Sequence, residues 1–206
     1  MKTQEIIKHI KNWIIEYKTK SSSNGFVIGI SGGIDSALTS TLIAETGASL
    51  LCIEMPINQN KDQVTRGKKH INWLKKNHKN VTSIERDLTG IFENFKNLTF
   101  EKKNVSLLAL ANSRSRLRMI TLYYYAQLNN YLVAGTGNKV EDFGIGFFTK
   151  YGDGSVDISP IADLMKSEVV ELAKYLNINN EIIYAPPTDG LWDNNQTDED
   201  QIGATY

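Results

Sequence analysis

The run Phe26-Val27-Ile28-Gly29-Ile30-Ser31-Gly32-Gly33-Ile34-Asp35-Ser36 decides how the rest of the chain is read. Its first five residues are apolar and partly β-branched, the composition of a strand buried on both faces in a parallel sheet. From Asp35 to Thr46 the composition turns helical, with Leu38, Leu42 and Ile43 as an apolar stripe and Gly47 as the stop. Strand, glycine turn and helix in that order place Ser31 to Ser36 at the carboxyl edge of an open sheet, where such sheets bind ligands. Two adjacent glycines free backbone amides, the helix start adds unpaired N–H groups, and the Ser31 and Ser36 hydroxyls join them. Together they suit an anion such as phosphate. Asp35 repels phosphate unless it holds a divalent cation, so the same residues predict Mg²⁺ bridging Asp35 to phosphate oxygens. The competing reading of Asp35 is a helix N-cap after a glycine turn.

The pattern repeats outward from this run. Upstream, Ile6, Ile7, Ile10, Trp13, Ile14 and Tyr17 recur at helical spacing from Glu5 to Tyr17, and Ser21-Ser22-Ser23-Asn24-Gly25 breaks that helix. Downstream, Leu50 to Glu54 reads as a strand, Gln63 to Lys76 as a helix and Val81 to Ile84 as a weaker strand. A long helix follows from Asn104 to Gln127, then a buried strand Tyr131 to Ala134, and a last helix from Asp163 to Leu176. Strands alternating with helices predict an α/β fold: a doubly wound parallel sheet in a three-layer α/β/α arrangement, as one domain over residues 1–206. Between Gly135 and Asp157 neither period holds. Connections of that length are usually functional or disordered, and Phe143, Phe147, Phe148 and Tyr151 favour an ordered loop.

Composition narrows the function classes. Twenty-three Lys plus Arg balance 23 Asp plus Glu, so no global field favours nucleic acid or a membrane surface, and anionic ligands must be held by local geometry. The single cysteine, Cys52, cannot form an intrachain disulfide, and no apolar run approaches the roughly 18 residues of a membrane span. A cytoplasmic protein without membrane or nucleic-acid partners is expected. His9, His70 and His78 fall on lysine-rich, predicted exposed helices without metal-ligand spacing, and receive no catalytic role.

There is no G-x-x-x-x-G-K-[ST] and no G-x-G-x-x-G. The pattern Ser31-Gly32-Gly33-Ile34-Asp35-Ser36 after an apolar strand resembles instead the pyrophosphate loop of the ATP pyrophosphatase group. A second constellation, Gly135-Thr136-Gly137-Asn138-Lys139-Val140-Glu141-Asp142, follows the last strand and so faces the same crevice. There Glu141 is a candidate second carboxylate for the metal and Thr136 a candidate nucleotide contact; a solvated surface turn is the alternative. Phe147-Phe148-Thr149-Lys150-Tyr151-Gly152-Asp153-Gly154, Asp157-Ile158-Ser159-Pro160-Ile161 and Leu164-Met165-Lys166 resemble the central signature of the ammonia-dependent NAD synthetase family. Asn112 to Met119, Pro187-Thr188, Leu191, Gln196-Thr197-Asp198-Glu199 and Gly203-Ala204-Thr205-Tyr206 extend the resemblance to the last residue.

The resemblance implies an adenine nucleotide hydrolase-like fold, a homodimer, and ATP-dependent amidation of deamido-NAD with ammonia to NAD, AMP and pyrophosphate through an adenylate. It further implies that Gly29, Ile30, Ser31, Gly32, Gly33, Ile34, Asp35 and Ser36 bind ATP together with Thr136, Lys166 and Thr188. Asp35 and Glu141 would be the Mg²⁺ ligands, and Arg116, Lys150 and Asp157 would bind deamido-NAD. Lys166 is also a catalytic candidate, because a cation in a helix's first turn is disfavoured unless an anion sits there. Asp153 is the candidate proton acceptor for ammonium, against the alternative of an Asp-Gly turn residue. Two features depart from the family pattern. An R-x-P-Y-G type segment is replaced by Glu54-Met55-Pro56-Ile57-Asn58-Gln59-Asn60, which leaves the adenine contacts unassigned, and the family's C-terminal segment is expected to be lacking beyond Tyr206. No glutaminase is expected at this length, and free ammonia or a separate donor protein is the expected nitrogen source.

Overall fold

A computed structural model of the chain describes residues 2–99, 106–186, 188, 191, 201 and 203. Asn104, where the sequence places the start of the long helix, lies outside the described residues. So do the motif residues Pro187, Gln196-Thr197-Asp198-Glu199 and Ala204-Thr205-Tyr206. The elements, in order, are α1 (Thr3–Lys20), β1 (Gly25–Gly29), α2 (Ile34–Glu45), β2 (Ser49–Glu54), α3 (Lys61–Asn77), β3 (Val81–Glu85) and α4 (Thr89–Thr99). They continue with α5 (Leu107–Asn129), β4 (Tyr131–Val133), a π-helix (Lys139–Ile145), α6 (Lys166–Tyr175) and α7 (Asn180–Ile183).

All strand pairs are parallel and the sheet order is β3-β2-β1-β4. The doubly wound α/β reading holds. Side-chain alternation divides the strands between two cores: Phe26, Ile28, Leu50 and Cys52 pack with α1, α2 and α6. Val27, Leu51, Ile53 and Val133 pack on the opposite face with Phe92, Met119, Leu122 and Ala126 of α4 and α5. A period of two along each strand with helices on both sides is what a fully apolar strand requires. The strand order changes direction beside β1, so the crevice at the carboxyl ends of β1 and β4 is the topological switch point.

Three differences from the sequence reading have local causes. α4 carries Ile91, Phe92, Phe95 and Leu98, of which only Phe92 is buried, so its apolar stripe is too thin to announce a helix. Lys166, not Asp163, begins α6, because residues 161–164 form tight turns there, with Leu164 N–H donating to Ile161 O. His70 is buried rather than exposed: its Nε2 lies 2.9 Å from the Ser40 hydroxyl, tying α3 to α2, and burial pushes its pKa down to about 4. His70 is thus a neutral packing residue.

Glu54 ends β2 with its side chain buried and Glu85 in register beside it. Burial and the Glu85 charge, against the pull of Lys68, push its carboxyl up to about 6. A folded pKa above the ordinary 4.5 means that the folded chain keeps a proton the unfolded chain releases. The associated stability is complete below that value and is lost as pH rises through about 6. Glu54→Gln is therefore expected to stabilise the fold by about 1 kcal/mol at pH 8 and to be neutral at pH 4, as read by urea denaturation at the two pH values.

Candidate active site

A cavity of about 740 Å³ opens at the switch point, within the usual range of small-molecule sites. Its floor is the turn after β1. Ile30 N–H donates to Ile53 O at 2.9 Å, which carries the chain out of the sheet. The Ser31 and Ser36 hydroxyls lie 3.1 Å apart, Ser31 Oγ accepts from Gly33 N–H at 3.1 Å, and Ser36 Oγ donates to Gly33 O at 3.0 Å. The two serines thus shape the loop. Gly29, Ile30, Ser31, Gly33, Ile34, Asp35 and Ser36 line the cavity; Gly32 does not, because it turns toward α3.

Asp35 is not an N-cap. The N-cap of α2 is Gly33, and Asp35 stands inside the first turn with its carboxylate directed across the crevice. Lys166 Nζ donates to Asp35 Oδ2 at 2.7 Å and to Glu141 Oε1 at 2.9 Å, all three side chains being largely buried. Residues more than a hundred positions apart meet here because Asp35 follows β1, Glu141 lies on the π-helix after β4, and Lys166 opens α6. The anions that the first turn of α6 asks for are these two carboxylates.

The electrostatics are one-sided. Burial pushes the Asp35 carboxyl up, against the pull of Lys166 and with the Glu141 charge adding to the rise. Burial works against the Lys166 charge, but the two carboxylates outweigh it and hold the ammonium above the ordinary lysine range. Asp142 also lines the cavity, and burial followed by the charges of Asp153, Glu141 and Asp35 pushes it up to about 7. Asp35, Glu141, Asp142 and Asp153 line the cavity together with Lys166, Arg66 and Arg118, and the two carboxylates joined by Lys166 are a donor pair that fits a divalent cation. Among the described residues no three His, Cys, Asp or Glu side chains gather tightly enough to hold an ion alone. A hard cation there would complete its shell with water and phosphate oxygens, as Mg²⁺ commonly does.

Thr136 and Thr188 both line the cavity. Asp153 reaches it too, but its Oδ1 accepts from Ser115 Oγ at 2.5 Å and from Thr149 N–H at 3.1 Å, the bonding of a turn-shaping residue. Of the three arginines of α5, Arg114 and Arg118, four residues apart, share one face of the helix and Arg116 takes the other. Arg114 is buried over the Phe92 ring and donates to Leu191 O at 2.5 Å. Arg118 donates to Met55 O at 3.0 Å and to Gln59 Oε1 at 3.3 Å. Arg116 is exposed and donates to Lys150 O at 3.1 Å. Arg116, Lys150 and Asp157 stay outside the cavity; Asp157 accepts from Val133 N–H at 2.7 Å and from Tyr123 OH at 3.2 Å.

The sequence reading assigned no role to Asn138, Gln59, Gln63 or Arg66. Asn138 is fully buried between Asp35 and the π-helix. Gln59, Gln63 and Arg66 line the wall where the Arg and Tyr of an R-x-P-Y-G type segment are missing, and Arg66 Nε donates to Gly32 O at 3.3 Å. Their available signal was helical spacing behind Asn60, whose side chain caps α3 by accepting from Asp62 N–H.

The sequence profile of NAD synthase matches residues 6–206. The NH(3)-dependent NAD(+) synthetase of Carboxydothermus hydrogenoformans is 41% identical over 209 residues, covering 98% of this chain and 82% of its own. The enzyme of the same description from Mycoplasma genitalium is 40% identical, covering 97% and 79%. Among solved structures, NMN synthetase from Francisella tularensis superimposes with a TM-score of 0.91 at 36% identity, covering 99% of this chain and 82% of its own. The NH3-dependent NAD synthetase from Campylobacter jejuni, in complex with a nitrate ion, gives 0.80 at 34% identity, with coverage of 89% and 77%.

Proposed function

The chain belongs to the NAD synthase family, and from that premise we propose that the cavity at the switch point is where deamido-NAD, ATP and ammonia meet. The reaction is that of an ammonia-dependent C–N ligase: ATP adenylates the nicotinate carboxylate, pyrophosphate leaves, and ammonia displaces AMP to give NAD. The observation that carries the site assignment is the convergence of Asp35 and Glu141 on Lys166 beside the glycine turn.

Asp35 and Glu141 would hold Mg²⁺, which would supply charge neutralisation for the triphosphate and for departing pyrophosphate. The backbone amides of the Ser31 to Ser36 turn receive phosphate oxygens, and Thr136 and Thr188 contact the nucleotide. Lys166 keeps the two carboxylates together and presents a fixed positive charge where negative charge develops on the α-phosphate. Asp153 remains the candidate acceptor of the ammonium proton, held in place by Ser115.

Deamido-NAD would extend from the cavity to Arg116, Lys150 and Asp157. Arg116 heads a stripe on α5 in which Ile120, Tyr124 and Leu128 follow at four-residue spacing with 67%, 63% and 65% exposure. An apolar stripe of that kind suits a second copy of the chain and supports a homodimer with the dinucleotide bound across its interface. Among the described residues no helix is long and apolar enough to cross a membrane, and a cytoplasmic enzyme acting as one domain completes the reading.

The test is incubation of the protein with deamido-NAD, ATP, Mg²⁺ and ammonium. NAD, AMP and pyrophosphate are expected in equal amounts; release of ADP instead would overturn adenylation. The Francisella relative favours a second reading, in which the acid amidated is the nicotinate mononucleotide and the product NMN. Comparing kcat/KM for the mononucleotide and dinucleotide acids under the same conditions separates the two.

A further inference from the structure

Asn138 is fully buried and bonded at both ends of its amide. Its Oδ1 accepts from Val140 N–H and Glu141 N–H, each at 3.1 Å, capping the π-helix that carries Glu141. Its Nδ2 donates to Asp35 Oδ1 at 3.1 Å. The other Asp35 oxygen belongs to Lys166. One rigid amide therefore fixes both the backbone of one carboxylate and the side chain of the other, across the gap between the turn after β1 and the loop after β4. A buried amide with a donor and an acceptor is suited to this position: a hydroxyl is too short to bridge the gap, and a carboxylate would repel Asp35.

We propose that Asn138 is a positioning residue that sets the distance between Asp35 and Glu141 for the divalent cation of the adenylation step. The inference rests on the function read above. The amide would not touch the cation but would orient the two carboxylates that hold it, and removal of such a partner typically costs on the order of 10- to 100-fold in metal affinity or activity.

Asn138→Ser separates the two bonds. Serine is as good an N-cap as asparagine, so the cap on the π-helix is kept while the bond to Asp35 is lost. Three readouts apply: kcat and KM, Mn²⁺ affinity by electron paramagnetic resonance in the presence of α,β-methylene-ATP, and the melting temperature. For Asn138→Ser we expect Mn²⁺ affinity and kcat each to fall by about 10- to 100-fold, with KM for ammonium and the melting temperature close to wild type. Asn138→Asp, of equal volume and equal capping ability, keeps the cap but turns a carboxylate toward Asp35, and is expected to lose kcat by a similar factor. Wild-type kcat and Mn²⁺ affinity in either folded variant would overturn the proposal. So would losses in the serine variant that merely track a lowered melting temperature and equal those of Asn138→Ala. A wild-type protein that makes neither NAD nor AMP would overturn the functional reading instead, a different result from an active wild type with indifferent variants.

Discussion

Lys166→Met is expected to lower kcat by about 10²- to 10³-fold, the usual effect of deleting one fixed group that stabilises charge in the transition state. The ammonium is held by Asp35 at 2.7 Å and Glu141 at 2.9 Å, so its deletion also leaves two buried carboxylates facing each other with Asp142 nearby. Breaking a buried pair by removing one partner generally costs about 3–5 kcal/mol. The cost has a characteristic pH dependence. Without the lysine the Asp35 carboxyl, already raised by burial and by the Glu141 charge, loses the group that pulls it down, so the folded chain binds a proton the unfolded chain does not, and stability is restored as pH falls. Chemical denaturation of the variant is thus expected to show a large deficit at pH 8 that shrinks toward pH 5, and millimolar Mg²⁺ is expected to raise the melting temperature of the variant more than that of the wild type. A rate within threefold of wild type would remove Lys166 from the reaction.

The fold was legible because its central signal is local. An apolar run, a glycine turn and a helix leave one topological option at each step, and parallel strands buried on both faces advertise themselves as continuous apolar runs. Phe26 to Ile28 and Leu50 to Ile53 are such runs, and both are buried. β3 was weaker in sequence because it is an edge strand with Thr82 exposed and Ser83 and Ile84 only half buried. α4 was invisible because it contributes one buried side chain, Phe92, to the second core.

The site was legible where function demands a residue type and silent where geometry alone assigns the role. Asp35 beside a phosphate turn calls for a cation, and Glu141 lies on the other loop of the same crevice, so their meeting could be anticipated. That a lysine would stand between them could not, since the start of α6 depends on how residues 161–164 turn. Asn138 was silent for a related reason: in sequence it is one more polar loop residue, and only burial makes its amide significant. Arg116, Lys150 and Asp157 lie outside the cavity. Their order along the chain matches the family's motif, yet Arg116 occupies the outward face of α5 because it lies two residues from the inward-pointing Arg114 and Arg118, about 200° around the helix.

Gly32→Ala is expected to be the most damaging single-methyl substitution in the chain, and the comparison of three glycines shows why. Gly32 adopts φ +83°, and an added Cβ would press into the Gln63 carbonyl oxygen, with Gly67 N only 3.2 Å away. Both neighbours are helix backbone, so α3 would have to move as a body. Gly47 has nearly the same torsion, φ +79°, but among the described residues nothing lies within 4 Å of its Cβ position. Gly47→Ala should therefore cost only the left-handed strain, about 1 kcal/mol. Gly33 is extended at φ −94° and its Cβ would meet only Ser31 Oγ, at 3.3 Å, so Gly33→Ala should leave stability almost unchanged while narrowing the cavity floor. For Gly32→Ala the strain and the collision add, giving a loss of about 3 kcal/mol or more, and the displaced turn should lower kcat/KM for ATP by at least about 100-fold, since small misplacements of a positioning loop are costly. Urea denaturation of the three variants side by side isolates the collision as the difference between Gly32→Ala and Gly47→Ala. Equal losses at those two positions would mean that α3 does not brace the turn after β1, and that the turn holds its shape through its own serine hydroxyls alone.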